Sequence, residues 1–221
     1  MLARILAAYT NNALRIKNMA KLYFRYGAVS SAKTLNLLAV AYNYRQQSKN
    51  VIIVKPAFDD RFGINIVQSR AGLNQQADII VSESDNNIDI SPFLPLHCIL
   101  VDELQFLNFK IIEQLRDIAS FQNIPVICYG LRTDFRGRLF PATQRLLELA
   151  DTIEEVKTTC AYCNRKAIMN LKFMDQKPTL QGPSAEIGAE EKYLPTCYHC
   201  YAQKLHLHST FQKTEQEAFN L

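Results

Sequence analysis

Three groups of residues in this chain have the types and spacing to do chemistry. The first is Gly27-Ala28-Val29-Ser30-Ser31-Ala32-Lys33-Thr34, which fits G-x-x-x-x-G-K-[ST] except that Ala32 stands at the second glycine. The pattern curls backbone N–H groups around phosphate oxygens, sends a lysine to the β- and γ-phosphates and places a hydroxyl on Mg²⁺. Read by itself, the octet also fits an ordinary turn with a lysine in it. The second group is Asp102-Glu103, which ends the apolar run Cys98-Ile99-Leu100-Val101. An acid at the carboxyl end of a parallel strand faces the ligand crevice, where Asp102 and Thr34 can share a Mg²⁺, directly or through water. Glu103 can accept a proton from a hydroxyl nucleophile or orient a water, and spacing does not separate the two. The third group is Cys160-x-x-Cys163 with Cys197-x-x-Cys200.

Paired C-x-x-C motifs place four thiolates tetrahedrally around Zn²⁺ with no open position, which makes a structural site. The segment between the pairs, 164–196, has 33 residues. That exceeds the ~15–20 of a minimal ribbon, so the excess loops out, and a long loop pinned at its base usually has a task. His199 lies between two of the cysteines and is expected to be exposed. Cys98 and Cys128 lie in apolar runs and read as small buried hydrophobes. Lys55-Pro56-Ala57-Phe58-Asp59-Asp60-Arg61-Phe62-Gly63 follows a second apolar run. Arg61 there can neutralise phosphoryl charge, or the segment is a solvated turn.

These residues need a scaffold that brings strand ends together. Leu22-Tyr23-Phe24, Val51-Ile52-Ile53-Val54, Ile79-Ile80-Val81, Cys98–Val101 and Pro125-Val126-Ile127-Cys128-Tyr129 read as strands buried on both faces. Leu35, Leu38, Ala39 and Tyr42 repeat at helical spacing and read as a helix following the phosphate loop. Ile111, Ile112, Leu115, Ile118 and Ala119 mark a second helix, and Leu146, Leu147 and Ala150 a short third one after Pro141. The alternation implies an α/β fold, a parallel sheet flanked by helices. From Cys160 the periodicity gives way to cysteine pairs, prolines and glycines, a small loop-rich module.

The organisation expected is an extension at 1–18, a nucleotide-binding domain at 19–155, a zinc-binding module at 156–204 and a polar tail at 205–221. Net charge is +4 with no lysine or arginine block, so nucleic acid is not indicated as a partner. No apolar run approaches the ~20 residues of a membrane helix. Paired cysteines without a secretory signal imply a reducing, cytoplasmic setting.

Together these residues resemble the type II thymidine kinases, the zinc-containing kind of bacteria and animal cytosol. The resemblance runs from about Lys21 to Lys204 and rests on LYFRYGAVSSAKT, KPAFDDRFG, SRAGL, VDELQF, YGLRTDFRGRLFP and IGAEEKY. It implies phosphorylation of the 5′-hydroxyl of thymidine or deoxyuridine by ATP with Mg²⁺, in pyrimidine deoxynucleoside salvage. Gly27 to Thr34 would bind the ATP phosphates, and Asp59 and Arg61 would help hold Mg²⁺ and phosphate. Glu103 would be the catalytic base. Phe106, Leu131, Phe135 and Phe140 would wall the thymine pocket. The long loop would be the family's lasso, reading the base near Glu186, Ile187 and Gly188 while Tyr193 packs on the nucleoside. A homotetramer with feedback inhibition by dTTP is also implied. The other reading of these motifs is a P-loop ATPase whose zinc ribbon acts on nucleic acid.

Two positions depart from the family pattern. Ala189 follows Gly188 where a second glycine is usual, and Ala32 replaces the loop glycine. An added Cβ disfavours positive φ. The expectation is that Ala32, leading into a helix at Lys33, is right-handed and harmless.

Overall fold

The structure is a computed structural model that describes residues 19–184 and 192–207. The expectations for 1–18, for Glu186, Ile187 and Gly188, and for the tail beyond 207 lie outside the described residues. In chain order the elements are β1 (Leu22–Tyr26), α1 (Lys33–Gln46), β2 (Val51–Pro56), β3 (Ile66–Gln68), β4 (Asn74–Gln76), β5 (Ile79–Val81) and β6 (Cys98–Val101). They continue with α2 (Phe109–Phe121), β7 (Val126–Gly130), α3 (Pro141–Leu149), β8 (Thr152–Glu155), β9 (Met169–Met174), β10 (Lys177–Thr179), β11 (Tyr193–Thr196) and α4 (Tyr198–Lys204).

Six strands form one parallel sheet in the order β5-β2-β6-β7-β1-β8. Every residue of β2, β6 and β7 is buried, as central strands with covered faces require. Alternation splits them between two cores. Val51, Ile53, Cys98 and Leu100 pack under α1, against Leu37, Leu38 and Ala41. Ile52, Val54, Ile99 and Val101 pack on the opposite side with Ile111, Ile112, Leu115 and Ile118 of α2 and Leu146 of α3. The α/β expectation holds, with helices on both faces.

The helix expected after the loop is present as α1, and its docked face is set by the sheet. Leu37, Leu38 and Ala41 are buried, whereas Ala39 is exposed and Tyr42 is 61% exposed. Apolar residues lie on several sides of this helix, so spacing alone defines no single stripe. Docking on the sheet selects the face.

The cysteine module is more ordered than its composition implies. It holds a three-stranded antiparallel sheet, β10-β9-β11, followed by α4. In β9, Met169, Asn170, Leu171 and Lys172 are all buried, so the polar residues do not alternate outward and the strand signal is erased. Leu205 and Leu207 pack against Met169, Leu171 and Tyr201. The packed structure thus continues beyond residue 204, where the polar tail is expected to begin.

Candidate functional site

The sheet's carboxyl ends build the site. The phosphate loop follows β1, Phe58, Asp59 and Arg61 follow β2, Asp102 and Glu103 follow β6, and Leu131 to Phe135 follow β7. At the loop's start the Gly27 N–H donates to the Gly130 carbonyl at 3.3 Å. A Cβ on Gly27 would lie 2.3 Å from Ser31 Oγ and 2.4 Å from the Val156 carbonyl, so the chain passes here only as glycine.

Ala32 overturns the expectation of a right-handed backbone. It has φ 62° and ψ 28°, the left-handed region, and Ser30 has φ 61°. The loop has to reverse direction twice before Lys33 to fold its N–H groups inward, and glycine-like dihedrals result whatever the side chain. Left-handed residues other than glycine cost roughly 1–2 kcal/mol each.

Lys33 is buried beneath the loop. Its ammonium donates to the carbonyls of Gly27 at 3.3 Å and Ala28 at 2.9 Å and lies 3.4 Å from Ser31 Oγ. Burial pulls its pKa below the ordinary lysine value, against the upward pull of Glu103 and Asp102. Thr34 Oγ1 donates to Asp102, at 3.1 Å and 3.3 Å from its two oxygens. Burial pushes the Asp102 carboxyl up to about 7, the neighbouring Glu103 charge adds to this, and the Thr34 hydrogen bond opposes it.

Glu103 also has a left-handed backbone, φ 47°, and a 3-10 turn over Leu104–Phe106 begins directly after it. Arg61 donates to Glu103 Oε1 at 3.2 Å and to Asp59 Oδ1. Burial acts against the Arg61 charge, but Asp59 and Glu103 outweigh it and hold its pKa above the usual arginine range. Gln105 donates to the other Glu103 oxygen, while its own Oε1 accepts from the Leu131 N–H at 2.9 Å. A Cβ on Gly130 would lie 2.4 Å from that Oε1, which makes room for glutamine specific to this strand end. Both Glu103 oxygens are therefore aimed by neighbours.

One cavity of about 410 Å³ joins these groups to an aromatic end. Its wall includes Val29, Ser30, Ser31, Ala32, Lys33, Thr34, Asp59, Arg61 and Glu103 at one side. Phe106, Leu131, Phe135, Phe140 and Tyr193 line the other. Phe106 meets Phe140 edge to face at 6.0 Å, and Phe58 lies 4.7 Å from Phe106. Gly27 and Ala28 sit behind the wall, where their carbonyls hold Lys33. Asp102 lies beneath it, joined through Thr34. Phe135 is fixed from below: Tyr201 of α4 donates to its carbonyl at 2.6 Å. Arg70, at the tip of the β3–β4 hairpin, reaches Ser30 Oγ at 2.7 Å. Sequence reasoning missed Phe58, Arg70, Gln105, Asp134, Asn170 and Ser184 as cavity residues. Gln105 lay inside VDELQF and Phe58 inside KPAFDDRFG, so both had a signal; Asn170 had none.

Cys160, Cys163, Cys197 and Cys200 come together with all sulfurs within 4.8 Å of one another. Cys163 Sγ lies 3.7 Å from the sulfurs of both Cys197 and Cys200. A tetrahedron with Zn–S bonds of about 2.3 Å has S···S edges of about 3.8 Å, so the spacing fits zinc. Burial pushes the Cys160 thiol up, but hydrogen bonds from the backbone at Cys197, Tyr162 and Cys163 outweigh it and bring it down to about 6. The Cys200 thiol of the same cluster moves the other way, pushed up to about 12 by burial and the neighbouring cysteines. His199 is exposed and stands outside the cluster.

The family model for thymidine kinase matches residues 20–201, nearly the whole chain. The chain belongs to the thymidine kinase family. Among its relatives in that family, the thymidine kinase of Lactiplantibacillus plantarum is 44% identical over 184 residues, covering 83% of this chain and 96% of that protein. The thymidine kinase of Pasteurella multocida is 43% identical over 193 residues, covering 86% and 100%. That of Lactococcus lactis is 40% identical over 188 residues, covering 83% and 97%. Among the described residues no helix is long and apolar enough to cross a membrane.

Proposed function

We propose that this chain transfers the γ-phosphoryl group of ATP to the 5′-hydroxyl of thymidine or deoxyuridine, giving the nucleoside monophosphate and ADP. The observation that carries this is the position of Glu103, on the wall of a single cavity that has the phosphate loop at one side and aromatic rings at the other. The nucleoside oxygen bonds to the γ-phosphorus as the β–γ bridging P–O bond breaks. Its proton passes to the Glu103 carboxylate, a step for which a positioned base typically supplies 10²–10⁴-fold. Arg61 and Gln105 hold that carboxylate in place.

The loop from Gly27 to Thr34 is the ATP phosphate site. Lys33 exchanges its loop carbonyls for phosphate oxygens. Thr34 and Asp102 offer hard oxygen donors that fit Mg²⁺, directly or through water; bound there with ATP, the ion neutralises phosphate charge. Asp59 and Arg61 support the same end. Phe106, Leu131, Phe135 and Phe140 take the thymine ring, and Tyr193 packs on the nucleoside.

The segment between the cysteine pairs acts as a lasso over the base. Ser184 and Tyr193, which flank residues 185–191, both line the cavity. Arg136 donates to the carbonyls of Leu180 and Gly182 and tethers the approach. Main-chain atoms near Glu186, Ile187 and Gly188 read the base edge. The division into domains at 19–155 and 156–204 follows the same logic, with Zn²⁺ on the four cysteines.

dTTP, with a thymine and a triphosphate, has chemistry for both ends of the cavity and acts as a feedback inhibitor. A homotetramer and a cytoplasmic setting complete the proposal. The latter is supported by six free cysteines, four of them gathered on a thiolate site that needs reducing conditions.

The test is ADP formation measured across nucleosides, with and without DNA. Turnover dependent on thymidine or deoxyuridine supports the proposal. Turnover that responds to DNA and not to nucleosides would overturn it.

A further inference from the structure

Asn170 lies on β9 of the cysteine module, 4% exposed, and lines the cavity. Its Oδ1 accepts from the Val29 N–H of the phosphate loop at 2.9 Å, and its Nδ2 donates to the Thr133 carbonyl at 3.0 Å. The two bonds fix the amide's orientation, because Val29 N–H only donates and the carbonyl only accepts. On the other side, β9 pairs with β11, Asn170 standing opposite Pro195, and the Ile168 N–H donates to the Thr196 carbonyl at 2.9 Å. The next residue, Cys197, belongs to the thiolate cluster. A continuous hydrogen-bonded path thus runs from the cluster to the loop.

The loop needs such a constraint. Ser30, next after Val29, and Ala32 both have positive φ. Dihedrals of that kind persist only where the surroundings over-determine them. Val29 is buried, so its N–H would be costly to leave unpaired. Thr133 directly precedes Asp134 and Phe135 of the cavity's aromatic side, but the Phe135 carbonyl is held separately by Tyr201, so loss of the amide falls on the phosphate loop.

We propose that Asn170 is a positioning residue for the phosphate loop, through which the cysteine module sets nucleotide affinity. The proposal rests on reading that loop as the ATP phosphate site.

The test compares full-length wild type with Asn170→Leu, Asn170→Ser and Lys33→Ala. The measurements are affinity for a Mg²⁺-bound, non-hydrolysable ATP analogue, KM for ATP and for thymidine, and zinc per chain. Both Asn170 variants should keep their zinc and lose about tenfold in nucleotide affinity, the scale of one orphaned buried donor. Their KM for thymidine should move by less than about twofold, a split that general loss of structure would not give. Should the leucine variant not fold, the serine variant carries the test, since its small side chain removes both amide bonds without adding apolar bulk. Equal losses for both substrates, unchanged ATP affinity, or a serine variant unable to hold zinc would each overturn the proposal. Lys33→Ala separates the two readings. If it leaves ATP affinity intact, the phosphate-site reading itself fails. If it abolishes binding while the Asn170 variants bind normally, only this inference fails.

Discussion

The phosphate loop is held by its surroundings, whereas the cysteine module has to hold itself. The loop sits at the end of a six-stranded sheet with cores on both faces. That support, together with the Asn170 amide bonded to Val29, keeps Ser30, Ala32 and Glu103 in left-handed backbone. The module has a short sheet and one small cluster around Met169, Leu171 and Tyr201. So little core does not stabilise an independent fold, and a metal on the four gathered cysteines would take its place. Irregular backbone is thus tolerated where a large core surrounds it, and where none does four cysteines gather in a cluster that can hold a metal.

The sharpest way to break this contrast is to remove the metal. Chelation or Cys163→Ser should unfold the module, since structural zinc contributes on the order of 10 kcal/mol. The main sheet should survive, as read by hydrogen exchange in β2, β6 and β7. Metal analysis should find one zinc per chain, and a zinc-free preparation with full activity would show that the module does hold itself.

Next in size is Gln105→Leu. It strands the half-buried Leu131 N–H and frees one oxygen of the half-buried Glu103, so the cost falls toward the lower end of the roughly 1–3 kcal/mol of a fully buried loss. kcat should fall while the KM for ATP holds. A drop in ATP affinity with kcat preserved would place Gln105 at the phosphate end instead.

pH probes the loop's surroundings. Burial pushes the Asp102 carboxyl up to about 7 in the folded, nucleotide-free protein, from an ordinary value of 3.8. The folded state therefore binds more protons, and the stability contributed by Asp102 is present below the lower value and is lost as pH rises through the higher. Urea unfolding between about pH 5 and 7.5 should show stability falling with pH, and Asp102→Asn should flatten that slope. An unchanged slope in the variant would move the effect to another group.

The smallest expected effect is at Ala32. Its left-handed strain is present before nucleotide binds, so Ala32→Gly should relieve the folded state rather than sharpen affinity. Relief of about 1–2 kcal/mol is offset by glycine's extra freedom in the unfolded chain, about 0.4–1 kcal/mol. A net gain between about 0 and 1.6 kcal/mol in urea unfolding is expected, with the KM for ATP little changed. A tenfold gain in ATP affinity, about 1.4 kcal/mol, would mean that the loop remodels on binding.

The same contrast explains what could be read from sequence. β2 and β6 were legible because uninterrupted apolar runs can only be central strands. α2 was legible because its stripe is clean. The inner face of α1 was not, since Leu35, Leu37, Leu38, Ala39, Ala41 and Tyr42 leave no single stripe and the sheet decides. β9 was invisible because Asn170 and Lys172 turn inward, Asn170 to Val29 and Thr133 and Lys172 to the Phe135 ring, which cancels the alternation. Ala32 misled because its dihedral is imposed by the loop's reversal and not by the helix that follows. The motif residues were placed by pattern, yet what aims them was not: Gln105 acts through Leu131, 26 residues away in sequence.

The central claim is that Glu103 takes the proton from the nucleoside hydroxyl. Glu103→Gln keeps the shape and the hydrogen bond from Arg61 and removes the basic oxygen. Its kcat with thymidine, measured alongside the affinities for ATP and thymidine, should fall about 10²–10⁴-fold while both affinities stay near wild type. A kcat close to wild type in that variant would contradict the account.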